Sequence, residues 1–279
     1  MSFHPSRRTF LGSAALATRL PAFSAPAQKP GRLKLGICSY SYTNRIKLPE
    51  VIQSVKTLGT RYINIKPEFH LPYESTREQI STARKMLDDA GLILAGTGTT
   101  YLQTVDEAQI RQRFEFNKTL GSPLIVIGPT AETLPIIEKY VKEYDIKVAV
   151  HNHGPSDKYF PTPQSALKVI RNMDPRVGLC IDIGHTLRAG VNPVEAAKLA
   201  GPRLLDMHTK DVRKESNGKW VAVDVGEGDM PLAELFRLLE KMGYPGYCNL
   251  EYEVSTQDRM LGIQKSFYYM RGVVAGLAA

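Results

Sequence analysis

Short apolar, β-branched runs alternate with longer helix-patterned stretches from residue 33 to the C-terminus, and this alternation constrains the fold more than any other feature. The strand-like runs are Leu33–Cys38, Tyr62–Lys66, Leu92–Gly96, Leu124–Gly128, Lys147–His151, Val177–Asp182, Leu204–His208 and Tyr247–Tyr252, eight in all. Helix-compatible segments lie between them. Thr76–Ala90 is introduced by Ser75 or Thr76 as a cap and stopped by Gly91. Leu134–Tyr144, Thr162–Asn172, Pro193–Leu199 and Pro231–Met242 follow, and a last segment runs from about Gln257 to Val274. Strand followed by helix, repeated, implies a parallel sheet with right-handed crossovers. Eight units of about 31 residues have the size of a βα repeat, and no G-x-G-x-x-G opens a helix as an open dinucleotide-binding sheet requires. The pattern predicts one α/β domain over residues 28–279, a single closed (β/α)8 TIM barrel.

In such a barrel the chemistry collects where strands end, because the loops after the strands carry the variable residues. Four apolar runs stop at residues of metal-ligand type: His151, Asp182, His208 and Glu251. Their spacings of 31, 26 and 43 residues correspond to one βα unit each, the last lengthened by an insertion at Val212–Met230. Within it, Asn217-Gly218 predicts a hairpin turn between two short ribbons over the barrel mouth. Two imidazoles and two carboxylates suit one Mn²⁺, Zn²⁺, Co²⁺ or Fe²⁺ better than Ca²⁺, which prefers all-oxygen shells. The same rim carries His153, His185, Lys210, Asp211 and Glu253, with Lys66, Glu68 and His70 across the mouth after the second strand. Asp211 and Glu253 are candidates for orienting the ligands.

These residues sit in VHNHG (150–154), CIDIGH (180–185), DMHTKD (206–211), GEGDMPL (226–232) and NLEYE (249–253). As an ordered set over nearly the whole chain after the leader, the motifs resemble the xylose-isomerase-like TIM barrels of the sugar phosphate isomerase and epimerase superfamily. The resemblance implies a divalent metal that holds a sugar carbonyl and its neighbouring hydroxyl and stabilises an enediolate. In the family's epimerases two metal-bound glutamates exchange a proton across the substrate. Glu251 matches the second, but His151 stands at the first, which speaks against that relay. The H-N-H-G form, the CIDIGHTLRAG stretch and the tail from Gly262 to Val273 are similar to an exported branch acting on 3-keto sugars as hydratases or lyases. Expected catalytic groups are His185, Glu251, His153 and Lys210. Lys66, His70, His153, His185, Arg188 and Lys210 are the candidates for binding the sugar. A sugar isomerase or epimerase, and a sugar-binding barrel without catalysis, are the alternatives.

Ahead of the repeats, Arg7-Arg8 precede a weakly apolar run from Phe10 to Ala17 and an A-x-A-like site at Ala25-Pro26-Ala27. Residues 1–27 therefore predict a twin-arginine-type signal and a periplasmic protein. Arg19 leaves the run too short to span a membrane. Removing Arg7, Arg8 and Arg19 lowers the formal net charge from +8 to +5, and no aromatic-interleaved basic stripe suggests a nucleic-acid partner. An endonuclease IV-like metal nuclease is disfavoured because only five histidines follow the leader and the insertion has no D-x-H pair. Cys38, Cys180 and Cys248 lie in apolar runs and are expected as buried small hydrophobes. A Cys38–Cys248 disulfide between the first and last strands is the alternative. The expected partner is a small sugar; a homo-oligomer is compatible with the sequence, which names neither the sugar nor the metal.

Overall fold

The computed structural model describes residues 33–277, so the leader expected at residues 1–27 lies outside the described residues. The strands are β1 (Lys34–Cys38), β2 (Tyr62–Ile65), β3 (Ile93–Leu102), β4 (Leu124–Pro129), β5 (Lys147–His151), β6 (Val177–Asp182), β7 (Leu204–Thr209), β8 (Asp211–Lys214), β9 (Trp220–Val223) and β10 (Tyr247–Leu250). Eight of them close into a barrel in the order β1-β10-β7-β6-β5-β4-β3-β2. The pairings are parallel throughout. β8 and β9 form a separate antiparallel hairpin, with Lys214 opposite Trp220 across the Asn217-Gly218 turn.

A barrel strand is covered on both faces, by side chains inside and helices outside, which is why β4 and β6 are buried at every residue. Leu124, Val126, Ala149 and Cys180 pack as a small cluster, while residues such as Ile63, Ile125, Val148 and Leu179 belong to the main core that also takes in the helices. Local chemistry agrees with this packing. Thr76 caps helix Arg77–Asp89 by accepting from the Gln79 amide, with Gln79 returning the bond. Thr162 and Ser165 do the same for helix Pro163–Ile170.

The expected elements differ from the observed ones mainly at strand ends. β3 runs on to Leu102, past a register shift between Thr97 and Thr100. At Gly98, with φ +119°, an added Cβ would lie 2.2 Å from the Val126 carbonyl oxygen, so only glycine lets β3 approach β4 there. Helices Leu48–Thr57 and Glu107–Leu120, absent from the expected set, complete the outer layer. Single-turn segments Pro67–His70 and Ile183–Arg188 follow β2 and β6 directly. No helix among the described residues is long and apolar enough to cross a membrane. The Cys38–Cys248 disulfide does not form: Cys248 pairs with Leu35, three residues before Cys38, and all three thiols are free and buried.

Candidate metal centre

The period of two along a strand explains how the site is assembled. Residues two apart share a face, so Ala149 and His151 on β5, Cys180 and Asp182 on β6, Asp206 and His208 on β7, and Asn249 on β10 with Glu251 just past its end form a lower and an upper tier. Register sets Asp182 level with His208 and Cys180 level with Asp206, whereas His208 is level with Asn249 and His151 with Cys180, so the tiers step from strand to strand around the barrel. Glu251, one residue past β10, is held by its amide donating to the Thr209 carbonyl at 2.9 Å. The upper tier brings together one ligand atom each from His151, Asp182, His208 and Glu251 within 4.8 Å of one another, all four residues buried. His151 Nε2 lies 3.4 Å from Asp182 Oδ2, and His208 Nδ1 lies 3.2 Å from Glu251 Oε2.

The donor set fits a divalent ion. His151 Nε2 and both His208 ring nitrogens are buried without a hydrogen-bond partner, an arrangement that costs free energy unless a cation accepts one lone pair from each ring. Two imidazoles and two carboxylates are also the mixture that first-row divalent ions take. Asn152, between His151 and His153, locks the two strand ends together: its Oδ1 accepts from the Asp182 amide at 3.0 Å and its Nδ2 donates to Thr186 Oγ1 at 3.1 Å.

Residues 52–272 match the family described as xylose isomerase-like TIM barrel. The chain belongs to this family. Among curated proteins, this xylose isomerase-like barrel is similar to the uncharacterized protein YfiH of Bacillus subtilis (strain 168), 28% identical over 166 residues that make up 51% of this chain and 52% of that one. It is also similar to inosose dehydratase of Clostridium perfringens, 24% identical over 204 residues, 65% of each chain. The chain thus spans about half to two thirds of the length of the curated relatives it matches. Among solved structures, 3-keto-D-glucoside 4-epimerase YcjR from E. coli superposes with a TM-score of 0.71 at 16% identity, covering 86% of this chain and 100% of that one. At such identity the likeness speaks for the fold.

Around the four ligand-type residues, the xylose isomerase-like barrel gathers most of the other expected groups. Lys210 Nζ lies 2.8 Å from Asp182 Oδ2, 2.7 Å from Glu251 Oε2 and 2.9 Å from Glu253 Oε2. Burial alone would raise Asp182 and Glu251; Lys210 beside Asp182, and His208 with Lys210 beside Glu251, hold both carboxyls well below their usual range. Burial would conversely depress Lys210, but its carboxylate neighbours keep it well above the usual lysine value and so protonated. His185 donates its backbone amide to Asp182 Oδ1 at 2.8 Å, and burial lowers its imidazole to about 3, which keeps the ring neutral. The half-buried His153 ring lies 4.4 Å from that of His185, and its Nε2 is 3.4 Å from the Tyr101 hydroxyl.

The opposite wall is a separate network. Ser39 Oγ accepts from the Lys66 amide at 2.7 Å and contacts His70 Nδ1 at 2.9 Å. Lys66 Nζ donates to the Thr99 carbonyl and pairs with Glu68 at 3.2 Å. Arg188, half-buried at the far end of helix Ile183–Arg188, has no ion pair or hydrogen bond to the ligand-type residues among the described residues. Asp211 does not reach them either. Its carboxylate instead accepts from the amides of Val212, Gly226, Gly228 and Met230, pinning the return loop of the hairpin.

Two residues of the lower tier escaped the sequence reading. Asp206 Oδ2 lies 4.0 Å from His208 Nε2, and Asp206 Oδ1 accepts from Asn249 Nδ2 at 2.9 Å. Burial raises Asp206 to about 7. The i−2 spacing from His208 and Glu251 was the available signal. A cavity of about 830 Å³ lined by Leu124, Lys147, Leu204, Tyr244 and Tyr247 opens at the strand starts, the end of the barrel away from this site.

Proposed function

We propose that this barrel is a divalent-metal-dependent sugar enzyme that moves a proton at the carbon beside a sugar ketone and adds or eliminates water there, acting as a 3-keto-sugar hydratase or lyase. The observation that carries the reading is the composition of the upper tier. Its fourth corner is His151, whose buried Nε2 lies 3.4 Å from Asp182 Oδ2, so among the described residues the ligand-type set holds one glutamate, Glu251. A two-carboxylate exchange of one proton between opposite faces lacks one partner. An elimination needs only one base and one charge-stabilising centre.

A bound Mn²⁺, Zn²⁺, Co²⁺ or Fe²⁺ would polarise the ketone and stabilise negative charge developing on its oxygen. His151, Asp182, His208 and Glu251 would hold it. His185, a neutral imidazole next to this set, accepts the proton from the carbon between the ketone and the departing group. The electron pair of the broken C–H bond moves toward the ketone, and the C–O bond at the next carbon then breaks. Lys210, kept protonated by its carboxylates, favours the developing negative charge and does not serve as the base. We assign delivery of a proton to the departing oxygen to His153, whose half-buried ring lies 4.4 Å from that of His185. Lys66 and His70, buried on the opposite wall, are the proposed sugar-contacting groups there. The inosose dehydratases among the relatives are dehydratases by name, which agrees with elimination.

The test is NMR of a 3-keto-glucose derivative incubated with the protein and Mn²⁺ in D₂O. Deuterium at C2 together with a dehydrated or hydrated product is expected. Efficient stereochemical inversion without any dehydrated product would replace this reading with a sugar epimerase.

A further inference from the structure

Lys210 follows β7 directly and is buried, 3% exposed, among carboxylates rather than at the rim where lysines usually lie. Its ammonium has three protons and three acidic neighbours: Asp182 Oδ2 at 2.8 Å, Glu251 Oε2 at 2.7 Å and Glu253 Oε2 at 2.9 Å. Asp182 and Glu251 belong to the ligand-type set, whereas Glu253 does not. Histidines that bind a metal do so as neutral imidazoles. The groups in contact with Lys210 and Lys210 itself are then three carboxylates and one ammonium, two net negative charges, with Asp206 below His208 outside this contact set. A buried cluster is penalised for any net charge left uncompensated, so a cation of charge two completes it, and one of charge one or three does not.

Resting on the metal reading above, we propose that Lys210 is a positioning residue that sets the charge of the ion this site accepts, turning a three-carboxylate pocket into a dianion matched to a divalent metal. Glu253 is the counterpart: it supplies the third negative charge without being a ligand. Lys210 also draws Asp182 and Glu251 toward one point, since a single nitrogen contacts the inner oxygen of each.

The experiment is calorimetric titration of the full chain with Mn²⁺ and, separately, with Tb³⁺ followed by its luminescence. The unaltered protein should favour Mn²⁺. Lys210→Met keeps the length of the side chain and removes its charge, so the Mn²⁺-to-Tb³⁺ affinity ratio should shift toward Tb³⁺ by on the order of tenfold or more. Glu253→Gln leaves a monoanion and should weaken Mn²⁺ binding by a comparable factor. The double variant Lys210→Met/Glu253→Gln restores the dianion and should return the ratio close to that of the unaltered protein. A purely structural role for Lys210 would leave the double variant at least as impaired as the single one. An unchanged ratio in Lys210→Met, or a folded double variant that keeps the shifted ratio, overturns the proposal. Should Lys210→Met not fold, Glu253→Gln decides alone, and unchanged Mn²⁺ affinity in that variant overturns it. Failure of the unaltered chain to bind Mn²⁺ refutes the metal reading itself.

Discussion

His208 belongs to the upper tier and reaches the lower one, with Nδ1 3.2 Å from Glu251 Oε2 and Nε2 4.0 Å from Asp206 Oδ2 below. Its neighbours in the ladder, Cys248, Asn249 and Leu250, belong to β10 and hold the backbone whether or not the ring is present. His208→Ala should therefore leave a folded barrel by far-UV circular dichroism but no bound metal by elemental analysis; full occupancy would remove His208 from the ligand set. His185→Ala is predicted to behave in the opposite way. It touches Asp182 only through its backbone amide, which alanine keeps. That variant should retain metal and lose about 10² to 10⁴ in turnover, the usual effect of deleting an acid/base group. Equal loss of metal in both variants would mean that His185 is structural. His208 was visible in the sequence as a polar stop on an apolar run. Asp206, inside the same run, reads as an ordinary interruption until the strand's period is applied.

At the scale of elements, the insertion after β7 shows what a single buried carboxylate can organise. Asp211 Oδ1 accepts from the amides of Val212 at 2.8 Å and Met230 at 3.1 Å, and Oδ2 from those of Gly226 at 2.9 Å and Gly228 at 3.2 Å. A Cβ on Gly228 would stand 2.2 Å from Asp211 Oδ1, so the loop closes this tightly only because residue 228 is glycine. Asp211→Ala leaves four amides, those of Val212 and Met230 buried, without this acceptor and should cost about 3 kcal/mol in urea unfolding. It should also speed amide hydrogen exchange selectively at residues 226–230. Unaltered exchange there would show that the loop is held by something else. The hairpin itself was legible from Asn217-Gly218, whereas the role of Asp211 was misread as ligand support because sequence proximity to His208 does not say which way a side chain turns.

At the scale of the whole molecule, burial of neutral imidazoles links folding to pH. His70 is buried against Ser39, and burial, aided by the charge of Lys47, lowers it to about 4 from an ordinary 6.5. Between those values the unfolded chain binds a proton that the folded chain does not, so stability falls as pH drops below about 6.5 and this contribution to the decline ends near 4. His70→Asn keeps a polar partner for Ser39 without a titrating ring. Thermal unfolding at pH 7 and pH 4.5 should show a smaller drop in Tm for this variant than for the unaltered protein; identical drops would place the pH sensitivity elsewhere.

The repeat of strand and helix, the eight strands and the four polar strand ends were readable from residue order because each depends on local periodicity: two for strands, 3.6 for helices. Helices Leu48–Thr57 and Glu107–Leu120 were missed although the first is strongly one-sided, with Leu48, Val51, Ile52 and Val55 buried. The second mixes buried Asn117 with Phe114 and Phe116 and so blurs its own stripe. What the order of residues could not supply was lateral placement. Which carboxylates share Lys210, which residue lies beneath His208, and which way Asp211 faces are set by ladder register and by the turns after each strand. Those depend on contacts between residues about 30 to 40 positions apart, between Lys210 and Glu251 or between Asn152 and Asp182, and only closure of the barrel brings them within reach of one another.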